Sequence, residues 1–393
     1  TRSGFYVFDA ASLVAQSELW AASLPRITPH YAVKCNPAER VVRVMADQPG
    51  MRFDCASKAE IDTVLAMGVD PGHIVYAHPA KPVSHLEHAR TVGVNTTVCD
   101  GQDELHKIQA HHPGAAVLIR IITDDSMSVC PMSLKFGAEL DTVPDMLRTA
   151  KLLGVDVAGV SFHVGSGCTS AAPYAEAIAH ARRVFDLGTA AGFDMRVLDI
   201  GGGFSGAHTE RRATVPGSGL VTFQEVCGVI SSSLEQHFPT ESGVEVIAEP
   251  GRFFSEDALT MVSAVTSRRI SSAGAVLFID DSLYSSFNCI PNDHAVVDAY
   301  PLPLACLQYG FEGFWRHLGK TAPVKSDGST TDFPESYAPA TVFGQTCDGI
   351  DCILPNVRLP ELVAGDRILF PGMGAYTSAA ASTFNGFETT PVV

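Results

Sequence analysis

Lys34 closes a short apolar run, Tyr31-Ala32-Val33, and stands just ahead of the turn-forming pair Asn36-Pro37. An isolated lysine in that place reads as a surface cap on a strand. At a desolvated mouth it has another use, because burial lowers the ammonium pKa and the free amine forms a Schiff base with a carbonyl. Gly201-Gly202-Gly203 and Glu249-Pro250-Gly251-Arg252 offer a second function. Bare glycines let backbone N–H groups approach phosphate oxygens, and Arg252 adds a forked, permanent charge. Glu249 beside a phosphate site is electrostatically odd unless it faces a cation, and a protonated pyridine nitrogen is one. A carbonyl-holding lysine, a phosphate cradle and a carboxylate for a ring nitrogen are the three handles that pyridoxal phosphate needs. His163, in Phe162-His163-Val164-Gly165-Ser166, is either a satisfied core histidine or a ring lying flat on that cofactor, with Ser166 reaching the phosphate. His85 and His88 sit one helical turn apart with no cysteine or carboxylate set beside them. They read as a solvated helix face, and no metal is expected.

The elements that must position these groups follow a countable alternation. Eight β-branched or aromatic runs, 29–34, 51–55, 73–77, 94–98, 116–122, 157–164, 196–201 and 244–249, predict strands. Helical periodicity fills 38–47, 57–67, 82–91, 103–111, 142–153, 174–191 and 222–237, and an amphipathic segment at 10–22 leads into the first strand. Ser57 with Glu60 and Thr222 with Glu225 have capping-box spacing. Eight βα repeats over about 250 residues predict a closed (β/α)8 TIM barrel, with a doubly wound open sheet as the alternative. Catalytic groups of a barrel belong at the C-terminal ends of its strands. Lys34, Asp54, Arg120, His163, the glycine triplet and Glu249 all fall at such ends.

After residue 257 helical periodicity fades and strand-like runs take over at 258–270, 275–280, 340–346 and 367–370. The expected organisation is an α/β barrel over 10–257 followed by a mostly β C-terminal domain, 258–393, which also takes in 1–9. The stretch 304–339, with Trp315 and a Ser/Gly/Thr-rich patch at 326–331, reads as a long loop with a short, weakly amphipathic helix at 305–318.

Composition narrows the class of function. The chain has 393 residues, 46% hydrophobic and 18% charged, which is material for a large core and excludes a disordered protein. A formal charge of −16 disfavours nucleic acid and anionic membrane surfaces as partners. No apolar stretch approaches the roughly 18 residues of a membrane span. Ten scattered cysteines without a CxxC pair point to reduced thiols and a cytoplasmic location.

The motifs together carry a family resemblance. YAVKCNP (31–37), FDCASKAE (53–60), LIRIITDDS (118–126), SFHVGSGC (161–168) and LDIGGGF (198–204) resemble the eukaryotic-type ornithine decarboxylases. That family belongs to the group IV pyridoxal phosphate decarboxylases of the alanine racemase-like fold type III. AEPGRFF (248–254), SFNCIPNDHA (286–295), TCDGID (346–351), GMGAYT (372–377) and STFNGF (382–387) extend the resemblance over nearly the whole chain. It implies a cofactor, pyridoxal 5'-phosphate, and an activity, conversion of L-ornithine to putrescine in polyamine biosynthesis, with L-lysine to cadaverine as an extension. By resemblance, Lys34 is the Schiff-base lysine. Ser166, Gly202, Gly203, Pro250, Gly251, Arg252 and Tyr376 bind the cofactor, chiefly its phosphate. Glu249 partners the ring nitrogen and His163 stacks on the ring, while Asp54, Glu60 and Arg120 orient Lys34 and the ring. Cys347 matches the acid that reprotonates the substrate carbon. Asp293 and Asp348 match the carboxylates that receive the distal amine, with Asn292, Tyr284 and Phe384 beside them. The resemblance also implies a homodimer in which Cys347 and Asp348 reach across the interface, and a cross-subunit ion pair of Lys135 with Asp351.

Departures from the family bear on substrate and regulation. Pro291-Asn292 precedes Asp293 where relatives carry a tyrosine, and the stretch between Asp293 and Cys347 is longer than usual. Asp293 argues for a terminal ammonium, as in ornithine or lysine, and leaves chain length open. The family's long C-terminal degradation tail does not follow Val393 and the antizyme-binding region is not especially basic, so antizyme regulation is not expected to carry over. Two alternatives stand beside this reading. A catalytically dead, antizyme inhibitor-like regulator would have lost cofactor contacts that this chain keeps. An enzyme of the same fold acting on arginine or diaminopimelate is the other, although Asp293 and Asp348 would repel a second carboxylate.

Overall fold

The computed structural model describes residues 3–213, 220–304, 323–327 and 334–393. The chain divides into two compact units, Ala11–Phe254 and a second formed by Thr1–Ala10 with Ser255–Val393. Strand β1 (Phe5–Phe8) belongs to the second unit, and helix α1 (Ala10–Ser23) leads into the first.

The first unit is a closed parallel barrel. Its strands are β2 (Ile27–Ala32), β3 (Arg52–Cys55), β4 (Ile74–Tyr76), β5 (Thr96–Cys99), β6 (Ala116–Arg120), β8 (Asp156–Ser161), β10 (Val197–Asp199) and β11 (Glu245–Ala248). Closure runs β10-β11-β2-β3-β4-β5-β6-β8 and back to β10. Each predicted strand is one of these eight, so the open-sheet alternative falls. Between them lie α2 (Glu39–Ala46), α3 (Lys58–Ala66), α4 (Val83–Val92), α5 (Gln102–His111), α6 (Val143–Leu153), α7 (Ala172–Ala190) and α9 (Phe223–His237). Val75, Val98, Leu118, Ala158 and Ile247, from five different strands, pack together as the barrel interior. Each fully buried aliphatic side chain of this kind contributes roughly 1.5–3 kcal/mol. Outside the strands, Trp20 of α1 meets Phe204 at 4.9 Å and Phe253 at 5.4 Å between ring centroids. Its indole N–H donates to Ile27 O at 3.0 Å, so the helix is tied to the start of the first barrel strand.

Both capping expectations have a structural counterpart, one of them modified. Thr222 and Glu225 form a full reciprocal box on α9. Ser57 Oγ accepts the Glu60 N–H, but Glu60 Oε2 accepts from Ala56 N at 2.6 Å instead of from Ser57 N. Two small elements carry no periodicity and were not foreseen: the ladder of β7 (Ser128–Cys130) with β9 (Ser166–Cys168), and the short helix α8 (Ala207–Ala213).

The second unit is built on one sheet. After α10 (Arg252–Ser255), the short helix that closes the barrel segment, come β12 (Leu259–Ser271), β13 (Gly274–Ile279), α11 (Cys289–Asp293), β14 (Asp298–Leu302), β15 (Val324–Lys325), β16 (Ala338–Phe343), β17 (Cys352–Leu359) and β18 (Arg367–Phe370). The order is β15-β14-β18-β12-β13-β16-β17, with β1 on β12. Phe5 pairs with Val262 and Phe8 with Leu259. The chain terminus joins β1 too: Tyr6 N donates to Pro391 O at 2.8 Å and Val393 N to Tyr6 O at 2.9 Å. Tyr6, Met261, Leu277, Phe287, Val342 and Phe370 are among the buried core of this unit. Strands β14 and β17 were missed, because Pro301 in one and Pro355-Asn356 in the other break the run. Asn356 has φ 50°, and the register of β16 on β17 shifts near it. The helix expected over 305–318, with Trp315, lies outside the described residues. Among the described residues, no helix is long and apolar enough to cross a membrane.

Candidate active site

The C-terminal ends of the barrel strands gather the predicted groups. Lys34 lies in a single helical turn, Val33–Cys35, directly after β2. Its Nζ is bonded to Asp54 Oδ2 at the end of β3, and Asp54 has 0% exposure. The other oxygen, Asp54 Oδ1, is buried without a hydrogen-bond partner. Glu60 opens α3 nearby, and burial with the negative Asp54 beside it raises its carboxyl above the usual range. Arg120, 8% exposed at the end of β6, lays its guanidinium over Phe136 at 5.0 Å and reaches Met132 Sδ at 3.8 Å.

His163 follows β8. Its Nδ1 accepts from Gly165 N at 3.0 Å, which leaves Nε2 to carry the proton of a neutral ring. Burial and the charges of Arg120 and Lys34 hold the imidazole well below its ordinary pKa. The glycine triplet follows β10. A Cβ on Gly202 would stand 2.8 Å from both His163 Nε2 and Glu249 O. Gly203 has φ 101°, and a Cβ there would stand 2.8 Å from Gly165 O and from Tyr174 Oη. Only glycine serves at either position. The buried Tyr174 hydroxyl donates to Gly202 O at 2.9 Å and so fixes the turn. Ser166 begins β9, opposite Cys130 of β7. Glu249 follows β11 and binds the same turn through its N–H to Gly201 O at 2.7 Å. Pro250 O accepts from Ala32 N at 3.2 Å, and Gly251 packs where a Cβ would lie 2.7 Å from Cys35 Cβ. Arg252 opens α10.

Sequence reasoning passed over Asp199, the last residue of β10. It is fully buried and accepts from Ser161 Oγ and from Gly201 N, each at 2.9 Å. Burial raises its carboxyl to about 6. Burial and the negative Asp199 and Asp54 push Glu249, 6% exposed, well above the carboxylate range. An acidic interruption in the apolar run Val197-Leu198-Asp199-Ile200 was the signal available.

In the second unit, four of the predicted groups, Tyr284, Asp348, Phe384 and Cys347, form a cluster of their own. The Tyr284 hydroxyl donates to Asp348 Oδ2, and that bond holds the Asp348 carboxyl below its ordinary range. Phe384 stacks on Tyr284 at 4.4 Å. Cys347 is exposed, and its N–H donates to Asn385 Oδ1 at 2.9 Å. Asn292 and Asp293 end α11, the former exposed and the latter half-buried. Tyr376 has φ 54°, an unusual value for a side chain of its size. Two further carboxylates organise these turns. Asp281 accepts from Ser282 N, Ser286 N, Ser286 Oγ and Thr390 Oγ1 at 2.5–2.9 Å. Asp351 accepts from Leu283 N at 2.8 Å and from Thr346 N and Oγ1 at 3.0 and 2.6 Å. Asp351 is 1% exposed, and both its oxygens accept within its own domain.

His85 and His88 have separate partners: Lys58 N and Tyr76 for the first, and Asp62, at 2.6 Å, for the second.

A lysine paired with a buried carboxylate, a glycine-lined turn and further buried carboxyl groups thus gather at one end of a parallel barrel. A family model described as "Pyridoxal-dependent decarboxylase, pyridoxal binding domain" matches residues 10–256, and the chain belongs to that family. The ornithine decarboxylase of Mus pahari is 41% identical over 401 residues, covering 98% of this chain and 79% of the relative. The chloroplastic ornithine decarboxylase of Nicotiana glutinosa is 42% identical, covering 99% and 83%. Among solved structures, the arginine decarboxylase of Paramecium bursaria Chlorella virus superposes with a TM-score of 0.85 at 34% identity, covering 100% of this chain and 95% of that one.

Proposed function

We propose that the chain is a pyridoxal 5'-phosphate-dependent decarboxylase of basic amino acids, acting on L-ornithine to give putrescine. One observation carries the reading. A single barrel mouth holds Lys34, the partnerless Asp54 Oδ1 and a carboxyl group, Glu249, that burial and like charge make unstable as an anion. Such a floor holds more carboxyl groups than cations, and the cofactor's ring nitrogen is of the right sign. Gly202, Gly203 and Gly251 leave space where side chains would collide, which suits a phosphate close to the backbone. The residues therefore fit the group.

When bound, pyridoxal 5'-phosphate supplies an electron sink for the bonding pair released as carbon dioxide departs. The chain does the rest. Lys34 holds the cofactor's carbonyl carbon, and Asp54 orients the Lys34 amine and keeps a proton within reach of it. Glu249 accepts from the ring nitrogen. His163, neutral and fixed by Gly165 N, stacks on the ring without adding charge. Arg120 and Glu60 hold the rim, while Ser166, Gly202, Gly203, Pro250, Gly251 and Arg252 receive the phosphate. The phosphate role of Tyr376 rests on the resemblance.

In the second domain, Asp293 and Asp348 receive the distal ammonium, flanked by Tyr284, Asn292 and Phe384. Cys347 gives its thiol proton to the substrate carbon. The exposure of Cys347 and of Ile350 supports a homodimer in which these residues complete the barrel site of the other protomer. The nine described cysteines are free thiols, which suits a cytoplasmic enzyme.

An activity panel on ornithine, lysine, arginine and diaminopimelate, run beside a visible absorbance scan, tests the reading. The cofactor band with turnover best on ornithine is expected. A protein with no cofactor band would overturn the reading, and a preference for the diacid would remove Asp293 and Asp348 from the site.

A further inference from the structure

We infer that Asn288 is a positioning residue: its side-chain amide ties the turn that presents Tyr376 to the segment that presents Tyr284 and Asp293, so that one group sets both cofactor grip and recognition of the distal ammonium. The inference rests on the reading above, in which Tyr376 meets the cofactor and Tyr284, Asp348 and Asp293 meet the substrate. Asn288 is 3% exposed and stands directly before α11, the helix that Asp293 ends. Its Nδ2 donates to Thr377 O at 2.7 Å and to Ser285 O. Both acceptors are carbonyls, so only the NH2 end of the amide, with its two hydrogens, fits between them. One side chain thus joins the residue after Tyr376, the residue after Tyr284 and the start of the helix that carries Asp293.

The turn 372–377 requires such a tie. At its start Met373 N donates to Leu259 O and Gly374 N to Glu256 O, each at 2.9 Å. A Cβ on Gly374 would lie 1.7 Å from Ser255 O, so the backbone there has no room to shift. At its end the Thr377 hydroxyl donates back to Met373 O, and Thr377 O accepts from Asn288 and, at 3.2 Å, from Ala380 N. Between these fixed ends Tyr376 takes φ 54°. A bulky residue keeps that conformation only where its surroundings over-determine it. Asn288 is the member of those surroundings that comes from the substrate segment.

A second tie joins the same two segments: Tyr284 O accepts from Ser382 N and Ser382 Oγ, both at 2.8 Å. That tie is at the surface, and its backbone N–H survives any side chain at 382. The buried tie depends on the Asn288 amide alone. Without it two buried carbonyls each lose a donor, and Tyr376 is free to leave its left-handed conformation. The same loss releases Ser285, and with it Tyr284, whose hydroxyl bonds Asp348. Cofactor affinity and recognition of the diamino acid therefore weaken together.

A double-mutant cycle tests this. Asn288→Leu should weaken binding of pyridoxal 5'-phosphate to the apo-protein about ten-fold, but less than about two-fold when Tyr376→Phe is already present. Equal losses in the two backgrounds would show a merely structural residue and overturn the inference. With cofactor saturating, Asn288→Leu should raise KM for ornithine about ten-fold and leave kcat within about three-fold. An unchanged KM overturns the coupling. Asn288→Asp covers the case of a leucine variant that does not fold, because it keeps the size and, while protonated, one donor. Burial raises such a carboxyl, so its deficit in cofactor affinity against wild type should shrink from about pH 8 to about pH 6. A deficit that stays constant, or none at all, overturns the inference as well. Failure of wild type to bind pyridoxal 5'-phosphate at all would instead refute the functional reading.

Discussion

At the barrel mouth Asp54 and Asp199 are shielded from solvent, whereas in the second domain Cys347 is exposed and Asp293 and Asp348 are half-buried. Both regions carry acidic side chains in short connections after strands or helices, yet they are held in opposite ways. The barrel fixes its carboxylates through Lys34, through the Ser161 hydroxyl, and through backbone N–H groups of Gly201 and Ala56. In the second domain the fixing is done from behind. Asp281 and Asp351 are spent on the backbone and hydroxyls of the turns, while Asp348 bonds to Tyr284 and Cys347 stays exposed. Burial tunes acidity in the first region. In the second it sets backbone position and leaves the side chains accessible.

Removing the centre of the barrel group should have the largest effect. Lys34→Ala should lose the cofactor band and at least roughly a thousand-fold in kcat. A variant with normal turnover would put the chemistry elsewhere. Combined with Cys347→Ala, the same substitution asks whether the two regions serve one site in different protomers. Each variant alone should be nearly inactive, and free subunit exchange between them should restore about a quarter of wild-type activity. Mixtures that stay dead, although mass spectrometry shows exchange, would assign both residues to one chain.

Asp293→Asn should act on substrate alone. It should lower kcat/KM for a diamino acid by about 10–100-fold, mostly through KM, while cofactor affinity stays as it was. Equal losses in cofactor affinity would erase the contrast between the regions. The apo-protein's stability profile tests the buried half in another way. The Asp199 carboxyl lies at about 6 in the native chain against 3.8 for the free group. Between those values the native state binds more protons than the unfolded one, so this group's contribution to stability falls as pH rises from about 4 to about 6. Thermal melts of the apo-protein should therefore lose part of this slope in Asp199→Asn, and parallel profiles for the two proteins would argue against a raised carboxyl. The smallest effect belongs to a residue outside both regions. Thr222→Ala should cost about 1 kcal/mol in denaturant unfolding through its cap on α9, with kcat unchanged.

Much of the barrel region was legible in the sequence because its code is positional. A polar residue ending an apolar run names both the strand and the site, as Lys34, Arg120 and Glu249 do. Asp199 is hidden because it stands inside the apolar run Val197-Leu198-Asp199-Ile200, next to the stronger signal of the glycine triplet. The second domain is harder to read for a physical reason. Asp281 and Asp351 accept from backbone N–H groups, which leave no mark in the residue pattern, and from the common hydroxyls of Ser286, Thr390 and Thr346, so in sequence they look like ordinary turn formers. Its strands hide likewise. Pro301 and Pro355 sit within paired strands, where proline usually signals a break.

The antiparallel pairing of β1 with β12 sets a timetable for synthesis. Tyr6 leaves the ribosome long before its partner Met261, and every barrel strand is made in the interval. At about 5–20 residues per second the wait is roughly ten to fifty seconds. Throughout that time β1 is a short, partly apolar segment with unpaired backbone, and the barrel that follows it can close only near the end of the interval, once β11 has been made. A chaperone that engages the nascent chain has its longest opportunity there, and a mutation that slows β12 lengthens it.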